Sequence, residues 1–535
     1  MEEIPFSGRT GHLYAKKLVD LYIALLQNEF SIEPQQAFKA AEPFYVCEFG
    51  AGMALLSKHF LDVLKEDYPE VYVNTRLIIT DSSAEMMENL QKISVFYNHF
   101  DQIEFQALDS TDFEGWPDKK PVLAYSSYLL SCFSCRHIEY KQGKINELLV
   151  KTSVPENAIL LDTTSFPYQV MDAQQIKKCI LSNDRDKLKV LGARIKHLLK
   201  EEIITLDLNE SDLSANEKQE LTGLLGSDEI KNDVCFNYNP GIKAHIEKAL
   251  NSLHEKGIYI ASDFGSVEFY HPDPDKLTKS YGNSLFRSVS FAYIKSFCGH
   301  NKITSFCSSR PNDYVQECVF SNSSQISQTL KKSMSGFISS EPTEKLQSVL
   351  RSLVDINPSD NYLTDFEQAV SSLSGEEQKD YFFLKSCASL LLSQGLNKQA
   401  YEYALKLLNT YAEFAIDGYS ILGMICQAQN FFDEALECYA TIINICGHDW
   451  ATHEALASVN YKLNNYQKAV EHLEKAIYYA RTNNIWPLVY MLNAIHEKLG
   501  QPDKADQIAA NVFDLAKKQK GLIPEEILEE FQKKQ

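Results

Sequence analysis

The chain has 535 residues, 44% of them hydrophobic and 23% charged, with a net charge of −20 and a pI near 5.2. That length suits about three domains of ~150 residues, and the acid excess excludes a general binder of nucleic acid or anionic membrane, which needs clustered Lys and Arg. No apolar run reaches the ~18 residues of a membrane-spanning helix, so no membrane insertion is expected.

Residues 1–43 predict an N-terminal helical segment, with Leu13, Leu18, Leu21, Ile23, Leu25 and Leu26 on one broad face of His12–Asn28. From Phe44 the pattern alternates strand and helix. Strands are expected at Phe44–Phe49, Arg76–Thr80, Gln102–Leu108 and Pro121–Ser126, and helices at Ala54–Glu66 and Ser83–Phe100, with Ser82 or Ser83 as N-cap. This alternation predicts an α/β doubly wound, largely parallel sheet over residues 44–320. A hairpin follows, Ile138–Lys141 and Lys144–Val150 around Gln142-Gly143, then a strand-like run at Ala158–Asp162. Residues 171–230 are polar and read as a helical insertion. The sheet resumes after a helix at Ile242–His254 with Gly257–Asp263, then Ile303–Ser308 and Asp313–Phe320. Residues 321–344 are rich in serine and read as a linker.

Residues 345–535 read as an all-α tetratricopeptide-repeat solenoid. Ala400, Ala435, Ala469 and Ala505 recur in similar frames at gaps of 35, 34 and 36 residues. Twelve residues before Ala435 and Ala469 stand Gly423 and Ala457, and four residues after them Tyr439 and Leu473. A period near 34 with small residues where two helices cross is the signature of this repeat. Asp360–Leu373 is a candidate partial repeat and Pro524–Lys534 a closing helix. The aromatic positions Tyr419, Phe431, Tyr439, Tyr461 and Tyr466 are core first, and recognition residues only where they face the concave side.

The residues that carry chemistry begin at the end of the first strand, Glu48-Phe49-Gly50-Ala51-Gly52. Glycines there let the chain turn sharply and a ligand approach, and the following helix points its amides at that ligand. A dinucleotide fingerprint would carry a third glycine, but Leu55 stands there. S-adenosylmethionine has no pyrophosphate and needs carboxylates instead, which Glu48 and Asp81 supply at two strand ends. The candidate cofactor-binding set is therefore Glu48, Gly50, Ala51, Gly52, Asp81, Ser82 and Asp109. Asp109 and its neighbour Asp112 suit an adenine contact and a helix or turn cap equally well.

Several other sites read as structural. Cys132-Phe133-Ser134-Cys135 with His137 lacks a second pair at zinc spacing, so no metal is expected. His12, beside Gly8-Arg9-Thr10-Gly11, and Arg287 are expected to be structural and surface residues. Twelve cysteines without framework spacing read as reduced thiols. The N-terminus, Met1-Glu2-Glu3-Ile4, lacks the regions of a signal peptide, so a cytoplasmic protein is expected. Non-classical secretion would leave no mark.

The segments Glu48–Gly52, Leu55–Leu64 and Ile78–Ser83 resemble class I S-adenosylmethionine-dependent methyltransferases. More narrowly they resemble the MidA-like family, whose mitochondrial members are complex I assembly factors that methylate a protein arginine. Tyr125–Leu149, Lys256–Gly265 and Tyr281–Arg287 match that family in order, so the resemblance spans roughly residues 40–300. Ala54 replaces the family's next glycine. Where the family carries Asn-Glu and then Asp after its fourth strand, this chain has Ser126-Ser127-Tyr128-Leu129-Leu130-Ser131. Without those acids, Asp263, Ser126 and Ser127 are the remaining catalytic candidates.

These readings combine into a methyltransferase acting on a protein recruited by the repeats, with S-adenosylmethionine as cofactor and a protein or peptide as partner. One alternative is a catalytically inactive methyltransferase-fold scaffold whose repeats bind protein. Another is a small-molecule methyltransferase with the insertion covering its pocket.

Overall fold

The protein is described here from a computed structural model covering residues 11–534, except 93, 183–184, 227–229, 231–232, 270–277, 282–283, 311–313, 324, 340–343, 357–360 and 483. Gly8 to Thr10, Gly282-Asn283, Asp313 and Asp360 lie outside the described residues.

After α1 (His12–Glu29), the chain alternates β1 (Phe44–Glu48), α2 (Leu55–Asp67) with the short α3 (Pro69–Val73), β2 (Thr75–Asp81), α4 (Ala84–Leu90), β3 (Ile103–Ala107) and β4 (Leu123–Ser127). A hairpin, β5 (Arg136–Lys141) and β6 (Lys144–Ser153), leads into an arm of β7 (Leu160–Asp162), β8 (Gln169–Met171), α5 (Ala173–Leu181) and α6 (Arg185–Lys196). The chain returns through β9 (Lys200–Asp207), α7 (Ala215–Leu225), β10 (Val234–Tyr238), α8 (Pro240–Ser252) and β11 (Ile258–Ser266). Then come β12 (Thr278–Tyr281), β13 (Ser284–Arg287), β14 (Val289–Ser290), α9 (Phe291–His300), β15 (Thr304–Cys307) and β16 (Tyr314–Ser321). Three helices follow, α10 (Gln328–Ser339), α11 (Glu344–Val354) and α12 (Tyr362–Ser371).

The chain divides into two compact units, 1–149 with 203–386, and 150–202 with 387–535. In the first, the main sheet runs β15-β16-β11-β4-β1-β2-β3. β1 is parallel to β2 and β4, β11 is parallel to β4, and β16 enters antiparallel beside β11. Strand order reverses between β1 and β4, the topological switch point where open α/β sheets bind ligands. The central strands read as near-continuous apolar runs because both faces are covered. Val46, Leu77, Leu123 and Ile258 join the core with α1 and α2, whereas their neighbours Cys47, Ile78, Ala124 and Tyr259 join the core with α8 and α9. This is the period of two expected of strands. The predicted α/β doubly wound domain is thus present.

Four local expectations differ. The helix expected over Ser83–Phe100 stops at Leu90, and Ser94–Gln102 is 3-10. The insertion expected to be helical contains β9 and is divided between the two units. Within the serine-rich linker Gln328–Ser339 is a helix, α10, whose Leu330, Met334 and Phe337 recur every three or four residues and are buried in the core with α1. Its serines mislead because they face outward or cap, Ser327 Oγ accepting from Leu330 N at 3.2 Å. Lys17 of α1 fixes this corner, lying 4.3 Å from the Phe337 ring centre and 3.0 Å from buried Glu317 of β16. Finally, Cys307 and Cys318 are disulfide-bonded rather than reduced, because the β15–β16 register sets them directly opposite.

The second unit contains the helix pairs α13 (Tyr381–Ser393, from residue 387 onward) with α14 (Asn397–Tyr411), α15 (Ile416–Ala428) with α16 (Phe432–Cys446), α17 (Trp450–Lys462) with α18 (Tyr466–Tyr478), and α19 (Trp486–Lys498) with α20 (Pro502–Lys518), closed by α21 (Glu525–Lys534). Each pair turns through one left-handed residue, Gly395, Asn430, Asn464 and Gly500. The next amide reaches back five residues, from 396 to 391, 431 to 426, 465 to 460 and 501 to 496. That bond belongs to the Schellman motif, which satisfies a helix's last carbonyls. The repeat predicted from the alanines is therefore an all-α array of helical hairpins.

A Cβ on Gly423 would stand 2.7 Å from the Tyr439 ring. Gly423→Ala is therefore expected to lower stability by about 1–3 kcal/mol through overpacking, measured by denaturant unfolding; an unchanged midpoint would show that the α15–α16 crossing is loose. Among the described residues no helix is long and apolar enough to cross a membrane.

Candidate functional site

The carboxyl ends of β1, β2, β4 and β11 bring most of the expected residues together. After β1 the chain takes left-handed conformations at Gly50 (φ +62°), Gly52 (φ +53°) and Ala54 (φ +54°). Ala51 N donates to Thr80 O at 2.8 Å and Gly52 N donates to Asp81 Oδ2 at 3.0 Å. The glycine turn is thereby tied to the end of β2. Asp81 Oδ1 accepts from Ser83 N at 3.1 Å, and Ser83, rather than the exposed Ser82, caps α4. A Cβ on Gly52 would meet nothing within 4 Å, whereas one on Gly50 would fall 2.6 Å from Leu129 Cδ1. Gly50 thus faces protein and Gly52 opens on a free cradle.

Glu48 is buried and accepts from Ser57 Oγ of α2. Burial, reinforced by the nearby Asp81 charge, pushes its carboxyl up to about 8 despite that hydrogen bond. Asp263 is fully buried in β11; Oδ2 accepts from Ser131 N and Oδ1 from Phe264 N, both at 2.8 Å. Desolvation lifts its carboxyl to about 7. The charges of Asp263 and Asp81 both act on the thiol of Cys132, which burial raises first. Asp81 therefore lies within electrostatic reach of both Glu48 and Cys132, and Asp263 within reach of Cys132.

The segment after β4 was not legible as a unit. Tyr128 is left-handed (φ +59°), its N–H donates to Ser262 O at 2.8 Å, and its ring stacks on Phe264 with centres 5.5 Å apart. With Ser131 on Asp263, both ends of residues 128–131 are held to β11. A non-glycine residue in this conformation leaves no composition signal, although such outliers cluster at functional sites.

Two catalytic candidates are engaged elsewhere. Ser126 is buried and its hydroxyl lies 2.7 Å from Tyr259 Oη, which lies 2.9 Å from His245 Nε2. His245 Nδ1 donates to Ser110 O at 2.8 Å, so Nε2 accepts and the chain runs Ser126 to Tyr259 to His245. Desolvation lowers His245 to about 4, which keeps it neutral. Ser126 faces this closed network because its strand neighbour Tyr125 faces Ser57 on the other side. Asp263 has both oxygens on backbone amides and acts as a positioning residue. Ser127 is partly exposed at the end of β4. Asp109 is exposed and caps a turn, accepting from Thr111 N and Oγ1 at 2.7 Å. His137 of β5 bonds Asn237 of the neighbouring antiparallel strand β10, and His12 pairs with Glu376 at 2.6 Å.

The donor set fits adenosylmethionine: an open glycine cradle at Gly52 and two acids at adjacent strand ends, one of them a buried carboxyl that a cationic ligand would ionise.

Residues 29–288 match the family described as "Putative S-adenosyl-L-methionine-dependent methyltransferase". That is the cofactor expected from the glycine turn and Asp81. Among curated proteins no sequence matches this one significantly. A Burkholderia thailandensis protein titled a "likely methyl transferase" bound to S-adenosyl-homocysteine is 14% identical, over 70% of this chain and 73% of that one, with a TM-score of 0.34. The protein MamA from Desulfovibrio magneticus is 16% identical over 33% of this chain and 96% of its own, with a TM-score of 0.27. YrrB, titled a TPR protein with an unusual peptide-binding site, is 19% identical over 28% and 73%, with a TM-score of 0.24. The strand order, and not these likenesses, carries the fold.

Proposed function

We propose that residues 44–320 contain an S-adenosylmethionine-dependent methyltransferase site that acts in the cytoplasm on a protein bound by the repeats. The observation that carries this reading is the tie between the two strand ends, Gly52 N on Asp81 Oδ2 at 3.0 Å, beside buried Glu48. Glu48, Gly50, Ala51, Gly52, Asp81 and Ser82 would hold the cofactor, which supplies an electrophilic methyl group on a sulfonium. Asp81 orients the glycine turn. Glu48, protonated at neutral pH, offers a carboxyl that a nearby cation would ionise. Asp263 fixes residues 128–131 against β11, and Ser127, partly exposed at the end of β4, would be the remaining serine for an acceptor to meet. The narrower MidA-like resemblance would make the acceptor a protein arginine.

A second reading, a scaffold that binds cofactor without turnover, is favoured by one observation. Ser126 and Asp263 are committed to internal hydrogen bonds, so neither is placed to take a proton from an acceptor. Calorimetry on the full chain separates the cases. S-adenosylhomocysteine is expected to bind with micromolar affinity, and absence of binding would overturn both readings. Incubation of cell extract with radiolabelled cofactor then decides between them: a labelled polypeptide band supports the enzyme, and binding without any label supports the scaffold.

A further inference from the structure

The arm at 150–202 belongs with the repeats, and its contact with them has the chemistry of peptide recognition. It has a small core of its own, including Val154, Leu160, Met171, Ile176, Leu191 and Ile195. β7 and β8 pair antiparallel, with Leu160 opposite Met171 and Asp162 opposite Gln169. The turn between them is stiffened from within. Asp162 Oδ1 accepts from Thr164 N at 3.0 Å, its other oxygen pairs with Lys187 at 2.6 Å, and Arg194 donates to Leu161 O at 3.0 Å and to Thr163 Oγ1 at 2.7 Å.

Leu161 and Tyr168 do not join that core. They are 0% and 6% exposed, in one cluster with Leu473 and Ile477 of α18 and Val512 and Leu515 of α20. At their centre Asn511 takes both backbone groups of Tyr168: Oδ1 accepts from its N–H at 3.2 Å, and Nδ2 donates to its carbonyl at 3.1 Å. One side-chain amide thereby stands in for the neighbouring strand that an extended peptide would otherwise pair with. It reads backbone, while the buried tyrosine supplies the side-chain anchor. The contact is not sealed like a core. Phe166 is 45% exposed, and a cavity of about 590 Å³ lies between residues 166–170 of the arm and residues 507–518 of α20.

We propose that the α18–α20 face is a peptide-binding surface and that segment 160–171 of this same chain is its built-in ligand. The stiffened turn lowers the ordering cost of docking, and covalent attachment gives the arm a high effective concentration there. A foreign protein can use this face only by displacing the arm. The proposal is independent of the methyltransferase reading, since none of these residues lies in that site.

Two measurements on the full chain test it. In Asn511→Ala, amide hydrogen exchange over residues 166–171 is expected to accelerate by about tenfold or more, while exchange in β1 and β4 stays as in wild type and reports an intact fold. A fluorescent peptide of residues 159–172 is expected to bind a Tyr168→Ala chain, whose own arm is weakened, more tightly than wild type, and to lose that gain in Tyr168→Ala/Asn511→Ala. Unchanged exchange in Asn511→Ala, equal binding to all three chains, or no binding to Tyr168→Ala would each overturn it.

Discussion

A Glu48→Gln chain is expected to match wild type in stability near pH 4.5 and to exceed it by up to about 5 kcal/mol at pH 8. Burial holds the Glu48 carboxyl protonated up to about 8, against an ordinary value of 4.5. Between those values the unfolded chain has lost a proton that the folded chain keeps. Stability therefore falls as pH rises, at about 1.4 kcal/mol per unit, and levels off above the folded value. Asp263, raised to about 7, adds a loss of the same sign, but it is present in both chains and cancels in the comparison. Glutamine keeps an oxygen for the Ser57 hydroxyl and has no proton to lose. Denaturant unfolding at several pH values measures the difference, and parallel wild-type and variant curves would show that Glu48 ionises freely. The same shift has a binding consequence. A ligand ammonium beside Glu48 restores the carboxylate, so S-adenosylhomocysteine binding at pH 7 should release up to about one proton. Calorimetry in buffers of different ionisation enthalpy reads this directly, and zero release would place that ammonium elsewhere.

Gly50→Val should weaken S-adenosylhomocysteine binding by about 100-fold, close to 2.7 kcal/mol, and destabilise the fold as well. Its backbone is left-handed, where an L-residue costs about 1–2 kcal/mol and a β-branched one more. The added Cβ also falls 2.6 Å from Leu129 Cδ1. With Tyr128 and Ser131 pinning its backbone to Ser262 and Asp263, Leu129 must yield by turning its side chain. A substitution on one side of the switch point therefore repacks a side chain on the other. Gly52→Ala is the control. It shares the left-handed backbone but meets open space, so its stability loss should be confined to about 1 kcal/mol. Gly50→Val binding with wild-type affinity would place the cofactor outside this turn.

Much of this site was legible before any coordinate. An apolar run that ends in an acid and a Gly-x-Gly turn fixes where a strand stops, and a second run ending in Asp81 fixes its neighbour. Parallel pairing then brings the two ends together. What escaped depends on neighbours remote in sequence. The sequence offers Ser126 as a catalytic candidate, but the face on which a central strand residue lies is decided by its partners, here Tyr259 and His245. Tyr128 adopts a glycine-like conformation that no propensity announces. The serines after β16 outvoted the apolar spacing of Leu330, Met334 and Phe337. The repeat was visible through its alanines, yet its turns carry an equally regular mark, the left-handed residues 395, 430, 464 and 500, which mixes Gly with Asn and hides from a search for identity.

The alternation of the two units along the chain bears on how the protein can be taken apart. The chain leaves the first unit inside β6, re-enters inside β9, and leaves again within α13. No single cut separates the two units. A chain ending before α14 keeps the arm but strips Leu161 and Tyr168 of the residues that bury them, so it trades a missing partner for a new sticky surface. A fragment starting at α14 lacks the arm and exposes the complementary face. Any change seen in the fragment ending before α14 would report this exposed surface as readily as the missing repeats. The smallest piece that can be swapped or transplanted is two stretches of sequence, not one.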